Sequence, residues 1–278
     1  LLMSATATRQ TIQLPIDHGV VGLRGLSPER SRFELEYALE RGSTANSVLF
    51  EAADDQPAVL VHPPGAAYGD VFLPALAALV PGGDQPLLVV VGHVNPNRVA
   101  LLRMLAEAYS RLELIASNAG AKLLQELWSL RKPAPAGQEN AQPPLPDLPA
   151  IRVIRHEQDL PLGFGRSLQL LPAPTPRWPG GLLAFETSLG LLMSDKFFSA
   201  HLCTAVWAES NRSSTEEERR HFYDCLMAPM ARQVDALVER LEDLEIRTIA
   251  PGHGPAIEVS WRSLLSDYRR WGERHQHA

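Results

Sequence analysis

The sequence has 278 residues, of which 45% are hydrophobic and 21% charged, as is ordinary for one large or two small globular domains. A net charge of −6 without a basic run excludes nucleic acid and an anionic membrane surface as expected partners. No apolar run approaches the roughly 20 residues of a membrane helix and the N-terminus lacks a signal-peptide pattern, so we expect a cytoplasmic protein without an integral membrane segment.

Segments rich in branched residues alternate with amphipathic segments through the first half of the chain. Short apolar runs bounded by turn residues predict strands, and apolar residues at helical spacing predict helices. The continuous apolar run PLLVVVGH is typical of a strand buried on both faces. In chain order, we predict strands over 47–52 and 58–62, a helix over 69–80, a strand over 86–93, a helix over 96–110, a strand over 112–117 and a helix over 119–130.

A proline-rich segment at 131–150 interrupts this alternation and has no apolar periodicity. Because predicted strands resume directly after it, we interpret it as a surface insertion within one domain that spans residues 1–278. The second half contains predicted strands over 151–155, 166–173, 181–186 and 190–195, a long helix over 214–245, a strand over 246–256 that runs into a Gly-rich turn, and a helix over 260–275. This order predicts sheets that are covered by helices on their outer faces.

Polar side chains follow four of the predicted strands, and loops after buried strands commonly carry function. The four segments are GHVNPNR (92–98), APTPRWPGG (173–181), MSDKFFSAH (193–201) and APGHGP (250–255). Each is a weak signal by itself, because a His before Gly-Pro is more often a turn residue and Arg-Trp-Pro usually packs. Their order and spacing make them a set.

Taken in order, these loops resemble the metallo-β-lactamase fold and, more specifically, the flavodiiron proteins. That family carries H-x-E-x-D-H, a His in A-P-x-x-H-W-P, a bridging Asp and a His in S-H-G-P, which together bind two irons. The similarity includes GSTANS (42–47) and FYDCLMAP (222–229) and covers nearly the whole chain. It implies an α+β fold, a metallo-β-lactamase-like αββα sandwich.

The variant is similar to the cyanobacterial branch of the family, in which a flavodoxin-like and a flavin-reductase-like domain follow. Neither is present in these 278 residues, so we expect the sequence to be part of a longer protein. The resemblance implies that electrons pass from NAD(P)H through FMN and a second flavin to the iron site. Oxygen is reduced to water there in photoprotection, or nitric oxide is reduced.

The seven ligand positions of the family depart from its pattern in five places. In chain order they hold His93, Asn95, Asn97, Arg98, Arg177, Lys196 and His253. The first and last keep the family's His, the two amides replace Glu and Asp, the two arginines replace His, and the lysine replaces the bridging Asp. We call these five substituted places the exchanged positions.

The exchanged positions predict weak iron binding. Non-haem iron needs carboxylates and neutral imidazoles, whereas arginine offers only donors and lysine ligates only when neutral. A metal dication 4–6 Å from a cation is repelled by a few kcal/mol at an effective dielectric of about 20. We therefore predict no catalytic residue, no metal ligand and no tightly bound cofactor in this domain.

Three cations at metal positions predict an anion-binding pocket instead. Arg98, Arg177 and Lys196 would hold chloride, sulfate, phosphate or a carboxylate, with Asp195 or Glu186 as further counter-charge. The opposite possibility, that the three cations point to solvent and leave no pocket, stays open at this stage. The two asparagines either shape the loop or bind the anion, and the two histidines either satisfy buried backbone groups or line the pocket.

Because the family dimerises head to tail, with the flavin of one chain facing the iron site of the other, the resemblance implies a homodimer or a heterodimer with a ligand-complete paralogue. The isolated domain is then expected to be inactive by itself. A non-catalytic anion-binding module is one alternative. A metal-dependent hydrolase is the other, and Asn97 and Arg98 argue against it because they cannot hold a metal-bound water.

Overall fold

In the computed structural model, which describes residues 9–33, 37–131 and 143–276, the larger sheet comes from the first half of the chain. It has seven strands, antiparallel over its first four and parallel over its last four. In spatial order these are β1 (Gln10–Asp17), β2 (Val20–Ser27), β5 (Ser43–Phe50), β6 (Ala58–Val61), β7 (Leu87–Val90), β8 (Leu112–Ser117) and β9 (Ala150–Ile154), while β3 (Arg32–Phe33) and β4 (Tyr37–Ala38) form a separate small hairpin.

The second sheet has five strands and comes from the second half of the chain. Its strands are antiparallel neighbours except for the last pair, which is parallel. In spatial order they are β10 (Gln158–Pro161), β11 (Ser167–Pro172), β12 (Leu182–Glu186), β13 (Leu191–Asp195) and β14 (Thr248–Pro251).

Helices cover the outer face of each sheet, and the inner faces pack on each other. The outer helices of the first sheet are α1 (Gly69–Ala77), α2 (Pro96–Ala108) and α3 (Asn118–Trp128), and those of the second sheet are α4 (Glu216–Phe222), α5 (Ala231–Glu242) and α6 (Trp261–Gln276). Between the sheets, strand residues such as Phe50, Val90 and Leu182 are almost fully buried. Each such side chain contributes roughly 1.5–3 kcal/mol of hydrophobic stabilisation. The predicted αββα sandwich is confirmed.

Most predicted strands and helices match the structure, with one clear error and five missed strands. The single helix over 214–245 is wrong: α4 continues into a π turn at Tyr223–Met227 and a 3-10 turn at Ala228–Met230 before α5 begins. Pro229 lies in this break and lacks the N–H that a continuous helix would need. Strands β1 to β4 and β10 were not predicted. In β2, the glycines and the arginine of VVGLRGLS argue against a central strand.

The proline-rich segment at 131–150 falls largely outside the described residues, at 132–142. The segment ends one residue earlier than predicted, because Ala150 already belongs to β9. Before that strand, the backbone carbonyl of Pro146 accepts a 2.8 Å hydrogen bond from the indole of Trp128. The interpretation of 131–150 as an insertion within one domain stays a prediction. None of the helices in the described ranges has both the length and the apolar character that crossing a membrane requires.

Candidate functional site

A cavity of about 230 Å³ lies at the carboxyl ends of β6, β7, β13 and β14, next to the N-terminus of α2. Strands β6 and β7 are parallel neighbours in the first sheet, and β13 and β14 are parallel neighbours in the second, so each pair ends at one edge of its own sheet. The packing of the two sheets on each other brings the loops after both pairs together. Six of the seven family ligand positions line this cavity, namely His93, Asn95, Asn97, Arg98, Lys196 and His253. The loops GHVNPNR, MSDKFFSAH and APGHGP therefore meet at one cavity.

His93 is held between a carboxylate and a guanidinium. Its Nδ1 lies 2.7 Å from Oδ2 of Asp195, so Nδ1–H donates to the carboxylate. That tautomer leaves a lone pair on Nε2, and Nη2 of Arg98 lies 3.4 Å from it. The nitrogen that faces the cavity is thus directed at a cation.

His253 repeats this arrangement on the second sheet. Its Nδ1 lies 2.7 Å from the carbonyl oxygen of Thr44 and donates to it, because a carbonyl can only accept. The Nε2 lone pair then faces Nζ of Lys196 at 3.1 Å. His93 and His253, the two positions that keep the family's His, therefore both direct Nε2 at an arginine or lysine nitrogen.

Burial and neighbouring charges determine the protonation of this cluster. Burial lowers the pKa of His93 to about 3, with Arg98 and Lys196 acting in the same direction, so the ring is neutral at pH 7. Burial and the charge of Lys196 also hold the pKa of His253 well below its usual range. For Asp195, burial raises the pKa, but the hydrogen bond from His93 and the charge of Lys196 outweigh it and hold the pKa well below its usual range, so the carboxyl stays ionised.

Lys196 is the cation most affected by this environment. Its side chain is only 5% exposed. Burial and the charges of Arg98, Arg30 and Arg177 together lower its pKa to about 7, although Asp195 opposes them. Burial likewise lowers the pKa of Arg98. The guanidinium stays charged at pH 7 because the ordinary pKa of arginine is so high.

Arg177 does not lie where the predicted three-cation cluster required it. Its side chain is exposed and its guanidinium lies 5.8 Å from the ring of Trp178, while its backbone N–H donates to Sδ of Met230. Arg30, which was not predicted, lines the cavity instead. Of the three cations predicted to line one pocket, Arg98 and Lys196 do so and Arg177 does not. The anion-binding role of Arg98, Arg177 and Lys196 stays a prediction.

Of the two carboxylates considered as counter-charge, only Asp195 lines the cavity. Glu186 is buried at the opposite end of β12, where it accepts hydrogen bonds from Oγ of Ser188 and the backbone N–H of Leu189. Asp195 has a left-handed φ of 50°, and the β13–β14 register shifts at this point. This irregularity brings Asp195 and the next residue, Lys196, to the same cavity, whereas regular strand alternation would send them to opposite faces.

The two asparagines have different positions. Asn95 is the N-cap of α2, and its Oδ1 accepts a 2.8 Å hydrogen bond from the backbone N–H of Arg98. Asn97 is exposed at the mouth of the cavity and packs against Gly65, where a Cβ would lie only 2.2 Å from its amide nitrogen. The helix cap supports a loop-shaping role for Asn95. Because both asparagines also line the cavity, a role in anion binding stays a prediction.

Sequence reasoning missed the residues that hold the His253 loop in place. Arg24 is fully buried in β2, and its Nε donates to Oδ1 of Asn46 at 2.7 Å. Nδ2 of Asn46 donates to the carbonyls of Pro251 and Gly254, on both sides of His253. The signal in the sequence was an arginine within the apolar run VVGLRGLS, since a charge that such a run buries needs several acceptors.

The family implies two irons at this position, and the donor set tests whether they fit. Both Nε2 lone pairs that could ligate a metal already face Arg98 or Lys196. Within the part of the chain that the structure describes, no group of three or more His, Cys, Asp or Glu side chains is arranged to hold a metal ion. These residues do not fit a diiron centre, and the absence of iron remains a prediction.

Comparison with known proteins gives a consistent set of relatives, although no family model matches the sequence. The putative diflavin flavoprotein A 6 of Nostoc sp. PCC 7120 is 36% identical over 276 residues, which is 99% of this chain and 45% of that protein. The putative diflavin flavoprotein A 4 of Synechocystis sp. PCC 6803 is also 36% identical, over 90% of this chain and 39% of that protein. The chain thus spans less than half the length of these curated relatives.

Solved structures agree with these relatives in sequence and fold. A crystal structure of a fragment of the putative diflavin flavoprotein A 5 from Nostoc sp. PCC 7120 has a TM-score of 0.84 and 32% identity, covering 97% of this chain and 99% of that one. The metal-soaked Flv1 flavodiiron core from Synechocystis sp. PCC6803 also has a TM-score of 0.84 and 32% identity, covering 96% of this chain and 62% of that one. The chain therefore belongs to the flavodiiron protein family, and the relatives it matches are cyanobacterial diflavin flavoproteins.

Proposed function

We propose that this chain is the metallo-β-lactamase-like part of a cyanobacterial-type diflavin flavodiiron protein in which cationic side chains take the place of the two irons. The observation that carries the proposal is the pairing of each cavity-facing Nε2 with a cation, His93 with Arg98 at 3.4 Å and His253 with Lys196 at 3.1 Å. A metal would have to displace both cations and then remain beside them. Oxygen is therefore not reduced at this site.

The role of the whole protein follows from the family. Electrons from NAD(P)H pass through its flavins, and a partner chain that keeps the full ligand set reduces oxygen to water, in the cytoplasm and in photoprotection. This chain serves as the metal-free subunit of a hetero-oligomer and contributes flavin-binding domains encoded beyond the 278 residues. Its diflavin relatives, which are more than twice as long as the matched region, support this arrangement.

The cavity has the electrostatics of an anion site. Among its described lining residues, Arg30, Arg98 and Lys196 are cations and Asp195 is the carboxylate, which leaves a net charge of +2 when the lysine is protonated. Nε–H of Arg98 is buried and has no hydrogen-bond partner among the described residues. A buried donor of this kind normally has an acceptor. Sulfate would neutralise this charge and chloride would halve it, and either anion would accept from that donor, with Arg177 at the periphery.

One analysis of metal and flavin content tests the main proposal. The full-length protein, purified from iron-rich medium, is measured by elemental analysis and flavin absorbance, alone and with a ligand-complete paralogue. We expect flavin without iron in the protein alone, and NAD(P)H-dependent oxygen consumption only in the mixture. Two irons per chain in the protein alone, or oxygen reduction without the partner, would contradict the proposal.

A non-catalytic anion-binding module is the second candidate, because the net charge of the cavity favours it independently of any partner. An anion that binds only the folded state raises its stability by RT ln(1 + [L]/Kd). A thermal midpoint that rises with chloride or sulfate at constant ionic strength, in a protein that has no effect on the paralogue, would favour this candidate over the subunit role.

A further inference from the structure

The side-chain amine of Lys196 is a buried nucleophile at the wall of the cavity. Its Nζ lies 3.1 Å from Nε2 of His253, and the residue is 5% exposed. The sequence has only two other lysines. Lys122 is exposed on α3, and Lys132 lies outside the described residues. Lys196 is therefore the one described lysine that is enclosed by protein.

The cations around Lys196 disfavour its protonated form. Burial together with Arg98 and Arg30 lowers its pKa to about 7, so a large fraction is the neutral amine at physiological pH. The two arginines also favour a negative charge on this side chain, whereas Asp195 opposes it. Converting Lys196 from a cation to a monoanion would bring the charge of the described lining residues from +2 to zero.

We infer that the amine of Lys196 captures carbon dioxide as a reversible carbamate, which returns a carboxylate to the position where the family has its bridging Asp. The inference rests on the proposed function, since it requires a cavity that holds cations and no iron. In the reaction, the Nζ lone pair forms a bond to the carbon of CO2, and one C–O π pair moves onto oxygen. Nζ releases one proton to solvent, and no oxidant or reductant is needed.

The hydrogen-bonding groups of the cavity suit the product. A carbamate nitrogen keeps one N–H, which continues to donate to Nε2 of His253, whose lone pair is directed there by the hydrogen bond of Nδ1–H to Thr44. The carbamate oxygens need donors, and the buried Nε–H of Arg98 is one without a partner among the described residues. A cavity of about 230 Å³ exceeds the roughly 30 Å³ that one water occupies in the liquid.

Carbon-13 NMR tests the inference directly. The full chain is equilibrated with ¹³C-bicarbonate near pH 8, and carbamate signals are compared among the wild type, K196M, K196R and K122M. We expect a signal in the wild type and in K122M that is lost in both K196M and K196R. Trapping with triethyloxonium ion, followed by peptide mass analysis, should place the ethylated carbamate on Lys196.

K196R separates loss of the amine from loss of charge, because a guanidinium keeps the cation but forms no carbamate. Equal signals in the wild type and K196R, in proteins with matching circular dichroism, would overturn the inference. The iron content of the same samples separates this result from the proposed function. Iron-free protein without a carbamate refutes the carbamate alone, whereas stoichiometric iron refutes the proposed function itself.

Discussion

Replacing Lys196 by Met should stabilise the protein at neutral pH, by an amount that falls as the pH rises. The unfolded lysine has a pKa of 10.5, and the buried one has a pKa of about 7. Between these values the unfolded chain binds more protons than the folded chain. The wild type therefore gains stability with rising pH across this window, and K196M lacks this dependence.

The magnitude follows from the shift. A difference of about 3.5 pKa units corresponds to at most about 5 kcal/mol, and about 3 kcal/mol of it should be recovered between pH 7 and pH 9.5. Met matches the length of the lysine stem but leaves Nε2 of His253 without its donor, which costs roughly 1–3 kcal/mol. A net stabilisation of a few kcal/mol at pH 7 remains.

Urea unfolding followed by circular dichroism, from pH 6.5 to 9.5 in CO2-free buffer, measures this difference. K122M is the matched control because Lys122 is exposed on α3, and its stability should follow that of the wild type at every pH. The reasoning is refuted if the wild-type and K196M free energies of unfolding run parallel across the window. It is equally refuted if their difference grows with pH.

Further predictions concern the metal, the counter-charge and the packing around the cavity. Restoring the family ligand at all five exchanged positions should give a chain that binds close to two irons by elemental analysis, and iron-free protein from iron-rich medium would count against the ligand assignment. D195N should destabilise the fold by roughly 3–5 kcal/mol, because it leaves buried cations uncompensated, and added chloride should recover part of this loss in thermal melts. N95A should cost roughly 0.5–2 kcal/mol in urea unfolding, since Oδ1 of Asn95 caps α2; an unchanged midpoint would exclude the cap. G25A should cost about 1–3 kcal/mol, because its Cβ would lie 2.5 Å from the buried ring of Tyr68, and a wild-type melting curve would contradict that packing.

The convergence of the polar loops could be predicted only in part from the sequence. Parallel strands end at one edge of a sheet, but these loops belong to two sheets, and the packing of the sandwich brings them together. His93 and His253 follow β7 and β14, and both line the cavity. The position of Arg177 could not be predicted in the same way. Its loop follows an antiparallel strand, and its long side chain lies on the surface over Trp178. Arg30 occupies a turn after β2 that carries no motif, so nothing in its neighbours marked it.

The pairing of Asp195 with His93 also could not be predicted from the spacing of the motifs. The family spacing assigned Lys196 to the bridging position and left Asp195 as one of two possible counter-charges, although regular strand alternation would direct these neighbours to opposite faces. The register shift in β13 and the left-handed φ of Asp195 bring both to one cavity. This register shift depends on the close approach of Gly252, because a Cβ added at that position would lie 2.6 Å from the carbonyl oxygen of Asp195. A local sequence pattern does not encode that contact.

The hydrogen-bond partners at Nδ1 fix the orientation of both imidazoles. A metal-bound His typically donates its other ring N–H to a carboxylate or a backbone carbonyl, which fixes the tautomer. His93 donates to Asp195 and His253 donates to the carbonyl of Thr44, so both rings keep that support. Their Nε2 lone pairs therefore point into the cavity whether the acceptor's partner is a metal or an N–H. Because Arg98 and Lys196 lie there, removing either imidazole would take away the hydrogen-bond acceptor that faces one of these buried cations, which costs stability.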